Sequence, residues 1–208
     1  MTAQHAYAIR AIVSLRKELR LIFVIVGAML CMPVLIVLLL TQVGVAAVSA
    51  AFVSPLAQNG QVAVRDPTTG VVTAYLSSPR VWPIGGVVTL EFGAPDPPFQ
   101  PAHTGIDIAS PHREIGDPVV AFMSGTVVYS GFDNLGLGNH VIIDHGNHVR
   151  SLYGHLDSLA VAVGKSVDAG TIIGRRGSTG WSTGPHLHFQ INVSGIPVNP
   201  RSFLGGNP

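Results

Sequence analysis

Two regimes of hydrophobic patterning divide the chain. From Leu21 to Leu40 the sequence reads LIFVIVGAMLCMPVLIVLLL, with no charge and no polar face. About 20 consecutive apolar residues match the hydrocarbon thickness of a bilayer. The run predicts a membrane-spanning helix assigned to 21–50, which Thr41, Gln42 and Ser49 dilute toward Val53. Pro33 predicts a kink there, which lipid-embedded helices tolerate. After residue 80 the period changes to two. Val87 to Phe92, Pro118 to Phe122, Gly125 to Tyr129, His140 to Ile143, Val149 to Tyr153, Thr171 to Ile173 and Leu187 to Val193 are short β-rich runs. Gly, Asn and Asp punctuate them about every ten residues, the pattern of an all-β antiparallel sheet or sandwich core. Between the two regimes, 51–80 reads as a linker, with turn signals at Asn59-Gly60, Asp66-Pro67, Thr69-Gly70 and Ser78-Pro79. Within it, Val71 to Leu76 suits an isolated strand against the domain. The expected organisation is a basic segment at 1–20, an anchor at 21–50, a linker at 51–80 and a compact domain at 81–205.

Charge sharpens this division. Arg10, Arg16, Lys17 and Arg20 precede the apolar run, opposed by Glu18, so residues 1–53 carry +3 and the remainder −2. The positive-inside rule then places the N-terminus in the cytoplasm and the domain outside. A cleaved signal peptide, with Val48-Ser49-Ala50 as the cleavage site, is the alternative, although the apolar run exceeds an ordinary signal core. No basic patch follows residue 54, which excludes nucleic acid as the expected partner. Cys31, the one cysteine, lies in the apolar run, so the domain has neither a disulfide nor a thiolate nucleophile.

The polar residues that interrupt the β pattern hold the candidate chemistry. In His186-Leu187-His188-Phe189-Gln190-Ile191 the alternation is strict, so both imidazoles project from one face of a strand while Leu187, Phe189 and Ile191 enter the core. One imidazole of such a pair can bind metal while its neighbour handles protons. In His103-Thr104-Gly105-Ile106-Asp107, Gly105 and the β-branched residues predict a loop leading into a strand. Brought together, the two segments offer two imidazoles and a carboxylate plus a spare histidine, the ligand set of a catalytic zinc site with an open position. His155, after Tyr153-Gly154, is expected at a strand end, exposed enough to act as acid or base. His112, His140, His145 and His148 read as surface or satisfied core residues, and Asp144-His145-Gly146-Asn147 as a hairpin turn. His112-Arg113-Glu114 lacks the second histidine of a zincin helix, and Gly136-Leu137-Gly138 lacks the helix of a phosphate loop.

The ordered set of motifs resembles the lysostaphin-type (LytM, M23) zinc endopeptidases of bacteria, over roughly Trp82 to Leu204. It comprises Trp82-Pro83-Ile84-Gly85-Gly86, His103-Thr104-Gly105-Ile106-Asp107, Gly125-Thr126-Val127-Val128, Tyr153-Gly154-His155-Leu156, Thr179-Gly180, Gly184-Pro185-His186-Leu187-His188-Phe189 and Asn199-Pro200. The resemblance implies an all-β core with an open groove and one Zn²⁺ held by His103, Asp107 and His188. It implies His155 and His186 as the catalytic pair, and peptidoglycan stem peptides or cross-bridges as substrate. Combined with the apolar N-terminus, it gives the expectation of a single-pass enzyme of the bacterial cytoplasmic membrane, anchored through 21–50. The competing expectations are a non-catalytic wall-binding or hydrolase-activating module of the same fold, and a secreted lysin released by signal cleavage.

Overall fold

The computed structural model describes residues 3–54, 60–66, 68–112 and 114–208. Asn59, Pro67 and Arg113, from two of the turn signals and the His112-Arg113-Glu114 stretch, lie outside the described residues. The chain divides into two compact units, Met1–Thr41 and Gln42–Pro208. The first is helical, within helix α1 (Ala3–Phe52). The second holds the end of that helix and every strand.

Alternating apolar side chains build the second unit, because alternation gives each strand one face to bury. Its strands are β1 (Val62–Arg65), β2 (Val72–Leu76), β3 (Val87–Leu90), β4 (Ile106–Ala109), β5 (Pro118–Val120) and β6 (Gly125–Asp133), followed by β7 (Gly138–Asp144), β8 (Val149–Leu159), β9 (Ser166–Val167), β10 (Ile172–Arg176), β11 (His186–Val193) and β12 (Ile196–Val198). Strands β3 to β12 form one ten-stranded sheet whose main path runs β3-β4-β11-β8-β7-β6-β9. Every ladder is antiparallel. One hydrogen-bonded sheet therefore stands where sheet or sandwich was expected. On its inner face Ile106 and Ile108 of β4, Leu187, Phe189, Ile191 and Val193 of β11, and Tyr153 of β8 are buried. Each such side chain contributes about 1.5–3 kcal/mol of burial, which fixes β4, β8 and β11 as a rigid floor. Phe189 lies at their centre, its ring 5.6 Å from Phe122 and 5.4 Å from Tyr153.

Strand β8 runs well past the expected end at Tyr153, because it is shared by three neighbours, β11, β7 and β10. The Asp144 to Asn147 turn forms as expected between β7 and β8. Its His145 bonds Ser124 O at 2.9 Å and Ser151 Oγ at 2.7 Å, and His140 stacks on Tyr129 at 4.2 Å, so both imidazoles have structural partners.

The linker region also holds structure. Strands β1 and β2 pair as a hairpin, Val53 bridges to Val64, and Val62, Val64 and Leu76 are buried in one core cluster with Phe52 and Val53. Burial of these apolar side chains accounts for the order of a stretch whose turn signals suggested irregular chain.

The membrane-spanning helix at 21–50, and with it the single-pass membrane placement, is not upheld. Among the described residues no helix is long and apolar enough to cross a membrane. The helix is covered by protein at its end: Ser49 and Phe52 are buried, and Ser49 Oγ accepts from the Asn199 N–H at 2.8 Å. The side chains of Leu21, 28–30 and 33–39, the Pro33 kink included, lie outside the described residues.

Candidate active site

The two polar segments picked out in the sequence meet through the sheet. Strand β11 pairs with β4 so that His188 lies opposite Asp107, and with β8 so that His188 lies opposite Gly154. His103 sits on the loop entering β4, held by reciprocal main-chain bonds: Gly93 N–H donates to His103 O and His103 N–H to Ala94 O, both at 2.8 Å. Gly105 lets that loop press onto β11. A Cβ there would run into the Phe189 carbonyl and stand 3.0 Å from His188 Cε1.

Three ligand-type atoms converge as a result. His103 Nε2 is 3.0 Å from His188 Nδ1, His188 Nδ1 is 3.0 Å from Asp107 Oδ1, and His103 Nε2 is 3.2 Å from that same oxygen. Both imidazoles are buried. Burial alone would raise the Asp107 carboxyl, but hydrogen bonds from His103 and His188 overcome it and hold it well below the usual carboxylate range. The cluster is thus two imidazoles and one carboxylate, a donor set suited to a divalent cation. Zinc bonds of about 2.0–2.2 Å in a tetrahedron separate ligand atoms by roughly 3.3–3.6 Å. The observed triangle is only a few tenths of an ångström tighter, so these residues fit such an ion.

A second pair of imidazoles flanks the triangle. The His155 and His186 rings are 4.6 Å apart, and His186 Nε2 is 3.6 Å from Asp107 Oδ2. His186 Nδ1–H donates to Gly184 O at 2.8 Å, and His155 Nδ1–H to Thr179 O at 2.8 Å. Both main-chain acceptors direct the proton to Nδ1 and leave Nε2 with a free lone pair. Burial, reinforced by the neighbouring His186, pushes the His155 imidazole down to about 4, so it is neutral at physiological pH.

His155 does not occupy an exposed strand end. It lies inside β8, buried, with φ at +61°. In the β7–β8 ladder Asn139 faces Leu156 and Val141 faces Tyr153, so two residues of β8, Gly154 and His155, oppose His140 alone. Strict alternation would send His155 to the core face with Tyr153. The bulge re-aims it into the site.

The five residues line one open cleft of about 590 Å³. Exposed Phe99, Leu135 and Trp181 stand on its rim, with Phe99 and Trp181 ring centroids 6.3 Å apart. Sequence reasoning missed these rim residues, for which no periodic signal exists. It also missed Gln190, although that side chain shares the outward alternation of His186 and His188.

Residues 101–200 match the model of peptidase family M23. The catalytic domain of the antimicrobial peptidase lysostaphin from Staphylococcus simulans aligns with a TM-score of 0.54 at 35% identity, covering 58% of this chain and 93% of that domain. The chain belongs to peptidase family M23. This M23 chain is 48% identical over 100 residues to the DD-carboxypeptidase/endopeptidase Mpg of Neisseria meningitidis serogroup B, covering 48% of this chain and 22% of that protein. It is 40% identical over 123 residues to the murein hydrolase activator NlpD of Salmonella typhimurium, covering 59% of this chain and 30% of that protein. The chain spans about a fifth of the length of the Neisseria relative and under a third of the Salmonella one.

Proposed function

We propose that residues 81–205 form a zinc endopeptidase that hydrolyses peptide cross-links of bacterial peptidoglycan. The observation that supports this most is the convergence of His103 Nε2, Asp107 Oδ1 and His188 Nδ1 beside two imidazoles with free Nε2 atoms. His103, Asp107 and His188 are the proposed metal ligands. When bound there, Zn²⁺ supplies Lewis acidity and lowers the pKa of a coordinated water.

His155 and His186 are the proposed catalytic residues. As water oxygen adds to the scissile carbonyl carbon, one Nε2 accepts the water proton. The C–N bond then breaks, and the imidazolium returns that proton to the departing amine. The second imidazole can donate toward the developing oxyanion only after taking a proton from solvent on its free Nε2. The open cleft suits an extended peptide, and its apolar rim covers the peptide from one side. A relative named as a DD-carboxypeptidase/endopeptidase and one named as a murein hydrolase activator support the wall substrate.

The test is digestion of purified peptidoglycan by the purified full chain, with mass spectrometry of the released fragments. New amine termini within the cross-links are expected, and their loss on chelation. A zinc-loaded protein that releases no fragments sinks the reading.

The likeness to NlpD favours a second reading, a non-catalytic module that activates other wall hydrolases. It would be recognised by fragment release only when a partner hydrolase is added.

A further inference from the structure

His188 can offer Nδ1 to a cation only if its ring proton resides on Nε2. That tautomer has to be held by an acceptor, and the structure supplies one on the same strand. Gln190 Oε1 faces His188 Nε2 at 3.4 Å, and Gln190 Nε2 donates to Asn192 Oδ1 at 2.8 Å. His188, Gln190 and Asn192 are successive outward residues of β11, so the alternation that presents the imidazole also presents its support.

We propose that Gln190 is a positioning residue for the metal centre: its carbonyl holds the His188 proton on Nε2, and Asn192 fixes which way the Gln190 amide faces. The inference rests on the zinc reading of the site. Asn192 matters because an amide has two ends. With the Gln190 amide reversed, its NH₂ would face His188 Nε2 and drive the ring proton onto Nδ1, where it blocks the ligand lone pair. The Asn192 acceptor opposes that reversal.

Gln190 differs in kind from the other supports around the site. His155 and His186 are held by main-chain carbonyls of Thr179 and Gly184, which no side-chain substitution removes. His103 Nδ1 is buried without a hydrogen-bond partner. The His188 support at Nε2 is a side-chain acceptor outside the proposed ligand set, and substitution can delete it. Groups of this type orient ligating histidines and raise their basicity, and their loss weakens metal binding by roughly 10–100-fold.

The experiment measures the zinc dissociation constant of the full chain, by chelator competition, for wild type, Gln190→Leu, Gln190→Glu and Asn192→Ala. Gln190→Leu should bind zinc roughly 10–100-fold more weakly. Gln190→Glu keeps an acceptor and should stay within a few-fold of wild type. In zinc-loaded protein, ¹⁵N correlation spectra should show a hydrogen-bonded, exchange-protected His188 Nε2–H in wild type and a loss of that protection in Gln190→Leu. Should Gln190→Leu fail to fold, Asn192→Ala gives the same two readouts with a smaller change. Zinc binding by the foldable acceptor-deleted variant at wild-type strength overturns the proposal, as does equal weakening by Leu and Glu or an unchanged His188 Nε2–H signal. Absence of zinc binding by wild type defeats the zinc reading itself, and the proposal falls with it.

Discussion

Asp107 Oδ1 lies 3.0 Å from His188 Nδ1, although 81 positions separate the two residues in the chain. They face each other across the β4–β11 ladder, so backbone pairing rather than loop conformation sets their separation. Cross-strand neighbours on one face have Cβ atoms about 4.5–5.5 Å apart, within reach of a shared ion. A site built this way is preorganised, and each of its parts makes a separable contribution.

Removing a ligand should remove the metal. His188→Ala and Asp107→Ala should each retain far less zinc than wild type after gel filtration, a loss exceeding the roughly 10–100-fold typical of changes to the groups that support a ligand. Metal analysis against protein concentration reads this directly. Stoichiometric zinc in either variant would contradict the ligand assignment.

The flanking imidazoles should behave differently. His155→Ala and His186→Ala should hold zinc near wild-type levels while kcat/KM for cross-link cleavage falls about 10²–10⁴-fold, the range for lost acid–base groups. Combined metal analysis and fragment release separate these variants from ligand variants. Full activity in His155→Ala would remove it from the mechanism.

Acid should destabilise the metal-free protein through His155. Burial lowers its folded pKa to about 4, against about 6.5 unfolded. The folded state binds fewer protons in that window, so this contribution is complete above about pH 6.5 and is lost as pH falls toward 4. The buried His145 imidazole is lowered too and acts in the same direction. Urea midpoints at pH 7 and pH 4.5 should differ less in His155→Gln than in wild type. Identical pH dependence in the two proteins would show that His155 is not buried neutral.

Gly105→Ala should damage the site without touching a ligand. The new methyl meets the Phe189 carbonyl and the His188 ring, so the His103 loop must lift from β11. Overpacking of this kind costs about 1–3 kcal/mol, and zinc affinity should fall together with thermal stability. A variant with wild-type melting temperature and zinc affinity would show that the loop has slack.

Legibility differed between elements for physical reasons. The alternation in β11 sorts Leu187, Phe189 and Ile191 inward and His186, His188 and Gln190 outward, because a strand has a fixed period of two. The turn at Asp144 to Asn147 was readable because its side chains bond their own backbone, as in Asp144 Oδ1 accepting from the Gly146 N–H at 2.9 Å. The apolar N-terminus misled for the same local reason. Hydropathy reports the aversion of a segment for water and not what covers it; protein cover is present at the end of the helix, at Ser49 and Phe52.

The sequence by itself determined the two-residue period of the sheet unit, the outward face of β11 and the residue types able to bind a metal and move protons. Only the tertiary structure decided that His103, Asp107 and His188 bring three ligand atoms within about 3 Å, since strand register depends on partners far along the chain. It alone decided the direction of His155. Local alternation points that side chain into the core, and a bulge opposite His140, set by pairing between β7 and β8, turns it into the cleft.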